Sequence, residues 1–173
     1  MSKILGEKAY ATGFDYEKNY GGCAQCVIAA IYEVLPELKS EAIFKSAAGL
    51  AGGIGLSTLG NCAAMTGAVM VLSQIYGREL KKIEDPEKKR FVAYKIGKKL
   101  VDKFIGGYGT VTCNEIQKKL MGRSFNMYEE WDEFLAAGGH STACTSVVGN
   151  AAKWAVELIK ELEDKRIDEV LGR

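Results

Sequence analysis

Net charge is almost missing from this chain: 23 lysines and arginines stand against 22 aspartates and glutamates in 173 residues. That balance argues against a general binder of nucleic acid or of membrane surfaces, both of which call for an excess of positive charge. Proline is scarce, with two residues, so little interrupts helical runs. A secretory signal is lacking too. The opening "MSKILGEKAYATGFDYEK" has charges scattered through it and no long apolar core. The expected address is cytoplasmic, where thiols are kept reduced, so the five cysteines are not expected to form a disulfide framework. Nor does size demand one. A chain of this length buries roughly 70% of its unfolded surface, so neither disulfides nor a metal is needed merely to hold it together.

Charge is absent from one long stretch, Ser46 to Gly77, which exceeds the length of a bilayer span. Its first half, "SAAGLAGGIGLSTLGN", carries five glycines, and such backbone would leave polar groups unpaired in lipid. The expectation is a loop followed by a buried central helix, not a membrane segment. No stretch demands a strand.

Apolar spacing reads as helix almost everywhere else. Val27, Ile28, Ile31 and Leu35 mark one face of a helix that opens at Cys23 and ends near Pro36. A second helix is expected over 39–51. A third, 61–76, is apolar nearly all round and should be central. Pro86 should open a long amphipathic helix that stops at Gly106-Gly107. Shorter helices follow Thr112 and cover 128–137, and a long one runs from about Thr142 with Val148, Ala151, Ala155, Leu158, Ile159 and Leu162 as its buried stripe. The expected fold is one all-α domain, residues 1–173, of six to eight helices, with 1–15 and 163–173 peripheral.

Four cysteines share a local pattern. Cys23 follows Gly21-Gly22, Cys62 follows Gly60-Asn61, Cys113 follows "GGYGTVT" and Cys144 follows "GGHSTA". Asn61 is a good N-cap for Cys62. Thr112 and Glu115 have capping-box spacing, and Ser141 or Thr142 can cap the helix of Cys144. Each cysteine is thus expected in the first turn of a helix. There, free N–H groups and the helix dipole stabilise a thiolate and can donate to coordinating sulfurs. Four such ends meeting at one spot would suit a metal–sulfur centre, with Gly22, Gly53 and Asn61 letting backbone approach it. Against this stands plain packing, since cysteine is among the most buried residue types. Cys26 shares a face with Cys23, and its expected role is packing, with a spare ligand or a dithiol partner as the lesser reading. The tetrad spacings, 39, 51 and 31 residues, do not resemble zinc ribbons or fingers.

Other features take plainer readings. His140, the single histidine, is read as a loop residue rather than a ligand or proton donor. Arg78 to Lys103 holds ten basic and five acidic residues and reads as a solvated helix face, with docking of an acidic electron-transfer partner as the alternative. Glu129–Glu133 is its acidic counterpart, and the two could pair across a homodimer. Trp131 and Trp154 are read as core or interface. "GLAGGIG" follows no strand and precedes no Walker lysine, so it is not a nucleotide motif.

"CAQC", "GLAGGIG", "NCAAMTGAVMVL" and the two later lone cysteines together resemble the C-GCAxxG-C-C family of small redox-active proteins, over roughly residues 14–160. The family's four cysteines correspond to Cys23, Cys62, Cys113 and Cys144. Its Cys-Gly-Ala-x-x-Gly motif reads here Cys62-Ala63-Ala64-Met65-Thr66-Gly67, with alanine in place of the first glycine, and Cys26 is an addition. A related domain occurs in split-Soret cytochrome c, where cysteines are associated with a [2Fe–2S] centre. The resemblance therefore implies an iron–sulfur site and electron transfer to a redox partner protein. Haem is not implied, because Val27 rather than histidine follows Cys26. Two further classes remain open at this point: a thiol–disulfide oxidoreductase in which Cys23 attacks and Cys26, or another tetrad member, resolves, and a binding or structural module with zinc or no metal. The electron-transfer reading does not require the chain to be an enzyme in its own right.

Overall fold

Eight α-helices and no strand make up the described part of the chain, residues 2–164 of a computed structural model. They are α1 (Ser2–Tyr20), α2 (Cys23–Val34), α3 (Glu41–Ser46), α4 (Ala63–Tyr76), α5 (Lys89–Tyr108), α6 (Cys113–Met121), α7 (Trp131–Ala136) and α8 (Cys144–Asp164). The all-α expectation holds, and the count falls at its upper end. None of the described helices is long and apolar enough to cross a membrane.

Local chemistry explains most of the boundaries. α2 breaks before Pro36, as expected. Ser40 caps α3 through its hydroxyl oxygen, which accepts from the Ile43 N–H at 3.4 Å. The helix expected over 39–51 is shorter than predicted, because the chain tightens into a 3-10 turn at Ala48–Leu50. α5 departs more. Pro86 lies in the preceding turn, and the helix begins at Lys89. Asp85 closes that start instead: its carboxylate accepts from the N–H of Lys89 at 2.7 Å and of Arg90 at 3.1 Å. The helix also runs through Gly106-Gly107, which keep helical backbone, and ends where Gly109 turns left-handed.

α1 is the element that apolar periodicity missed, and the expectation that residues 1–15 are peripheral is not met. Gly6, Ala9, Gly13 and Glu17 form a stripe of small residues ending in a glutamate, and all four are buried. Small residues let α1 lie closely along α8, the most extensive helix–helix contact among the described residues. At their crossing a Cβ on Gly149 would lie 2.8 Å from the Tyr10 ring, so only glycine fits. Most of the tail expected to be peripheral, 163–173, lies outside the described residues; Glu163 itself is exposed.

One continuous core joins α1, α2, α4, α5 and α8, including Ile28, Ile31, Leu72, Ile96, Leu100, Phe104, Val148 and Ile159. Each such side chain contributes about 1.5–3 kcal/mol when fully buried. α4 is central over Ala63–Ala68, while Ser73 and Gln74 face solvent. Gly67 sits against α2, where an added Cβ would lie 2.5 Å from the Ala24 carbonyl oxygen. A small satellite cluster of Phe125, Met127 and Phe134 covers the end of the bundle where the cysteines lie.

Candidate cysteine site

Four segments deliver a cysteine to the same end of the bundle, by four different local routes. Cys23 is the first residue of α2, following Gly22, whose φ of 86° is a left-handed turn that glycine adopts at little cost. Cys113 is the first residue of α6. Cys62 is not inside α4: it occupies the N-cap position expected of Asn61, while Asn61 is exposed and makes an isolated antiparallel bridge to Thr112. Cys144 lies behind a π-helical turn, Gly139–Ala143, so Ser141 and Thr142 are part of that turn and do not cap the helix. The capping box at Thr112 does not form. Thr112 bonds to Thr110, and Glu115 pairs with Lys118.

Backbone crosslinks hold two of these segments together. The Cys62 N–H donates to Val111 O at 2.7 Å, Cys113 N–H to Gly60 O at 2.9 Å and Asn114 N–H to Thr58 O at 3.0 Å. Gly53 packs on the same junction. A Cβ there would meet Gly60 backbone and the Cys113 Cβ at 3.0–3.1 Å, so its small size serves this close approach. The surrounding loop is strained: Ile54, Leu56 and Thr58 all have positive φ, at a cost of about 1–3 kcal/mol each. It is pinned by the Ser57 hydroxyl on Gly53 O and the Tyr128 hydroxyl on Gly55 O.

Cys23, Cys62, Cys113 and Cys144 line one small internal cavity of about 20 Å³, closed by Ala63, Ala64, Ile116, Val147 and Val148. Cys26 does not line it. Its thiol turns away and donates to Gly21 O at 2.9 Å, and all five cysteines are free thiols. Among the described residues, no three His, Cys, Asp or Glu side chains are grouped closely enough to hold one metal ion.

Two buried polar residues that sequence reading passed over belong to this site. Glu17, fully buried, accepts a hydrogen bond from the Cys23 thiol at 3.1 Å, and the same carboxyl oxygen lies 3.5 Å from His140 Nε2. Its other oxygen, Oε2, has no partner. Gln117 lies on the opposite side. Its amide nitrogen faces the sulfurs of Cys113 (3.9 Å) and Met127 (3.5 Å), and its oxygen accepts from the Phe125 N–H at 3.0 Å. It thereby fastens the 124–127 segment over the cysteines. His140 is not a plain loop residue. It stands in the π turn, edge-on to Trp131 and Phe134, with its ring toward Glu17. Trp131 is half-exposed beside it, whereas Trp154 packs against Phe104 and Tyr108.

Burial governs the electrostatics here, which overturns the expectation of acidic helix-end thiols. Removal from water pushes Cys62 up to about 11, although the N–H groups of Ala64 and Met65 pull in the opposite direction. Burial, with Cys62 nearby, pushes Cys113 up to about 12. Cys23 and Cys144 are driven well above the usual thiol range by burial and then by Glu17. Burial and then Glu17 likewise raise Cys26, and burial raises Glu17 against the opposing pull of the Cys23 thiol, His140 and the Cys26 thiol. Without a metal, then, the tetrad is a set of neutral thiols.

Above the cysteines a cleft of about 380 Å³ reaches the surface, with Cys23, Cys113 and Cys144 at its base and Glu17, Trp131 and His140 in its walls. A larger groove, about 540 Å³ between α5 and α8, contains no cysteine and lies apart from this chemistry.

A single helical bundle that gathers four cysteines from four segments around one cavity defines a cysteine-tetrad protein of the all-α class. Over residues 22–158 the chain matches the family model described as "Putative redox-active protein (C_GCAxxG_C_C)", and it belongs to that family. The match includes all four tetrad cysteines and begins after Glu17. No curated protein and no solved structure matches the chain.

Proposed function

We propose that the chain is an electron-transfer protein in which Cys23, Cys62, Cys113 and Cys144 hold an iron–sulfur cluster, with [2Fe–2S] the favoured type. The observation that supports this most is the shared cavity: four soft sulfur donors, drawn from segments far apart in sequence, line one internal space. A bound cluster would supply one-electron chemistry. The chain's own part is to present the sulfurs and to wall their inner side with Ala63, Ile116, Val147 and Val148, while the cleft leaves Cys23, Cys113 and Cys144 open toward the surface. Because the tetrad thiols are protonated when metal-free, loading would release protons and become tighter as pH rises. Zinc held by the same four sulfurs is the alternative. The dithiol reading is weakened by Cys26, whose thiol bonds to Gly21 O rather than facing the tetrad.

The test is protein purified without oxygen. The proposal expects visible colour, iron and acid-labile sulfide. Cys62→Ser and Cys113→Ser should each lose most of the iron, while Cys26→Ser should retain it. Colourless protein with stoichiometric zinc would support a metal-binding module instead. A metal-free protein that reversibly forms a Cys23–Cys26 disulfide would support the oxidoreductase.

A further inference from the structure

The cavity shared by the four cysteines has one further polar side chain in its wall, Gln117; the rest of the lining is alanine, isoleucine and valine. Gln117 lies one turn after Cys113 on α6 and is buried, so its polar atoms need partners inside the protein. The oxygen has two. It accepts from the Phe125 N–H at 3.0 Å and from the Ser124 hydroxyl at 3.2 Å. That pairing fixes which way the amide points, because a flipped group would set its NH2 against the Phe125 N–H. The nitrogen then has only sulfur before it among the described residues: Cys113 Sγ at 3.9 Å and Met127 Sδ at 3.5 Å. Thiol and thioether sulfurs are weak acceptors. A glutamate would serve the two bonds of the oxygen equally well. What glutamine adds is neutrality and a pair of donors aimed at sulfur beside the tetrad.

We propose that Gln117 is a positioning residue of the sulfur centre, whose side-chain NH2 donates to Cys113 Sγ once that sulfur is a metal-bound thiolate. The inference rests on the reading of the tetrad given above, but the donor role needs only a metal on the sulfurs, not iron in particular. A thiolate carries the charge that a thiol lacks, and hydrogen bonds to an ionised acceptor are shorter and roughly twice as strong as neutral ones. The long 3.9 Å separation belongs to a donor facing a neutral thiol. Burial of the amide strengthens the bond further, since the local dielectric is low. A consequence follows for redox chemistry. One electron taken from a reduced partner protein adds one negative charge to the centre, and an N–H aimed at a ligand sulfur stabilises that charge. Gln117 gives up no proton; it raises the reduction potential by donating.

Two readouts on the full chain test this. In the first, zinc is titrated into metal-free protein and the side-chain N–H signals of Gln117, assigned by their absence from Gln117→Glu, are followed by NMR. They should move downfield as the tetrad fills. In the second, reduction potentials are measured against redox dyes on protein purified without oxygen. Gln117→Met should be harder to reduce by about tenfold in the equilibrium constant, which is about 59 mV for one electron. Gln117→Glu keeps acceptors for Phe125 and Ser124 but lacks the donors, and its potential should fall at least as far. Ser124→Ala loosens the same segment and leaves the donors in place, so it should keep the wild-type potential. A role confined to fastening 124–127 would move Ser124→Ala together with Gln117→Met, and that result overturns the proposal. Unchanged N–H signals in zinc-loaded protein, or a wild-type potential in Gln117→Met, overturn it as well. Iron-free protein whose Gln117 signals respond to zinc would sustain the donor role while removing the iron–sulfur reading. A chain that takes up neither metal overturns both.

Discussion

Glu17 shows how one residue can be decisive and still be inconspicuous in sequence. It sits among "YEKNY", where glutamate looks like solvated surface, yet it is buried against Cys23. Its signal was the spacing Gly6, Ala9, Gly13, Glu17, a small-residue face that continues into a carboxyl. Burial raises its pKa, so the folded chain holds that proton more tightly than the unfolded chain. The sign follows: the folded state binds more protons above about pH 4.3, and stability falls as pH rises through the folded value. In iron-free protein, Glu17→Gln should therefore gain on the wild type between pH 4 and neutrality. Urea midpoints taken across that range check it; a constant difference would mean that Glu17 ionises as freely as in water. Gln117, the other overlooked residue, lay in a helix read as merely short. Only its contacts with Met127, Phe125 and Cys113 reveal what it holds.

At the level of elements, the tightest constraints are caps and close approaches. Asp85, not Pro86, starts α5. Burial alone would raise its carboxyl, but the N–H groups of Arg90 and Lys89 and the Arg90 guanidinium outweigh it and hold the pKa below the usual value. A depressed carboxylate contributes stability above its unfolded pKa of about 3.9 and loses it as pH falls through the lower folded value. Asp85→Ala should thus be less stable than the wild type at neutral pH, and the gap should close in acid, as followed by helical circular dichroism in denaturant. Proline was a reasonable opening signal, but a carboxylate that accepts two N–H groups and an arginine is the stronger one. The α2–α4 crossing depends on Gly67. Gly67→Ala forces a methyl onto the Ala24 backbone and should cost about 1–3 kcal/mol. Thermal melts give that number, and a neutral result would mean that the two helices can slide apart.

Across the whole molecule, α1 and α8 form the spine against which the cysteine segments are set. Removing residues 2–20 would uncover Val148 and Ala152, which pack against Gly13, and take Glu17 from Cys23. The shortened chain should lose its cooperative unfolding transition and its near-ultraviolet circular dichroism, whereas deleting a detachable extension would change neither. Helices α2 through α8 were legible along the chain because apolar periodicity, glycine stops and a few capping residues are local signals. The four cysteines were legible as a group for the same reason: each follows a glycine-bearing turn. What local pattern could not supply was which turns meet. Cys62 and Cys113 are joined by backbone bonds across some fifty residues, α1 is buried by a partner more than a hundred residues away, and the sulfurs are protonated because burial outweighs the helix ends. Element type and candidate ligands came from short-range sterics and polarity. The shared cavity, the buried carboxyl and the thiol chemistry came from desolvation, which exists only once distant segments have packed together.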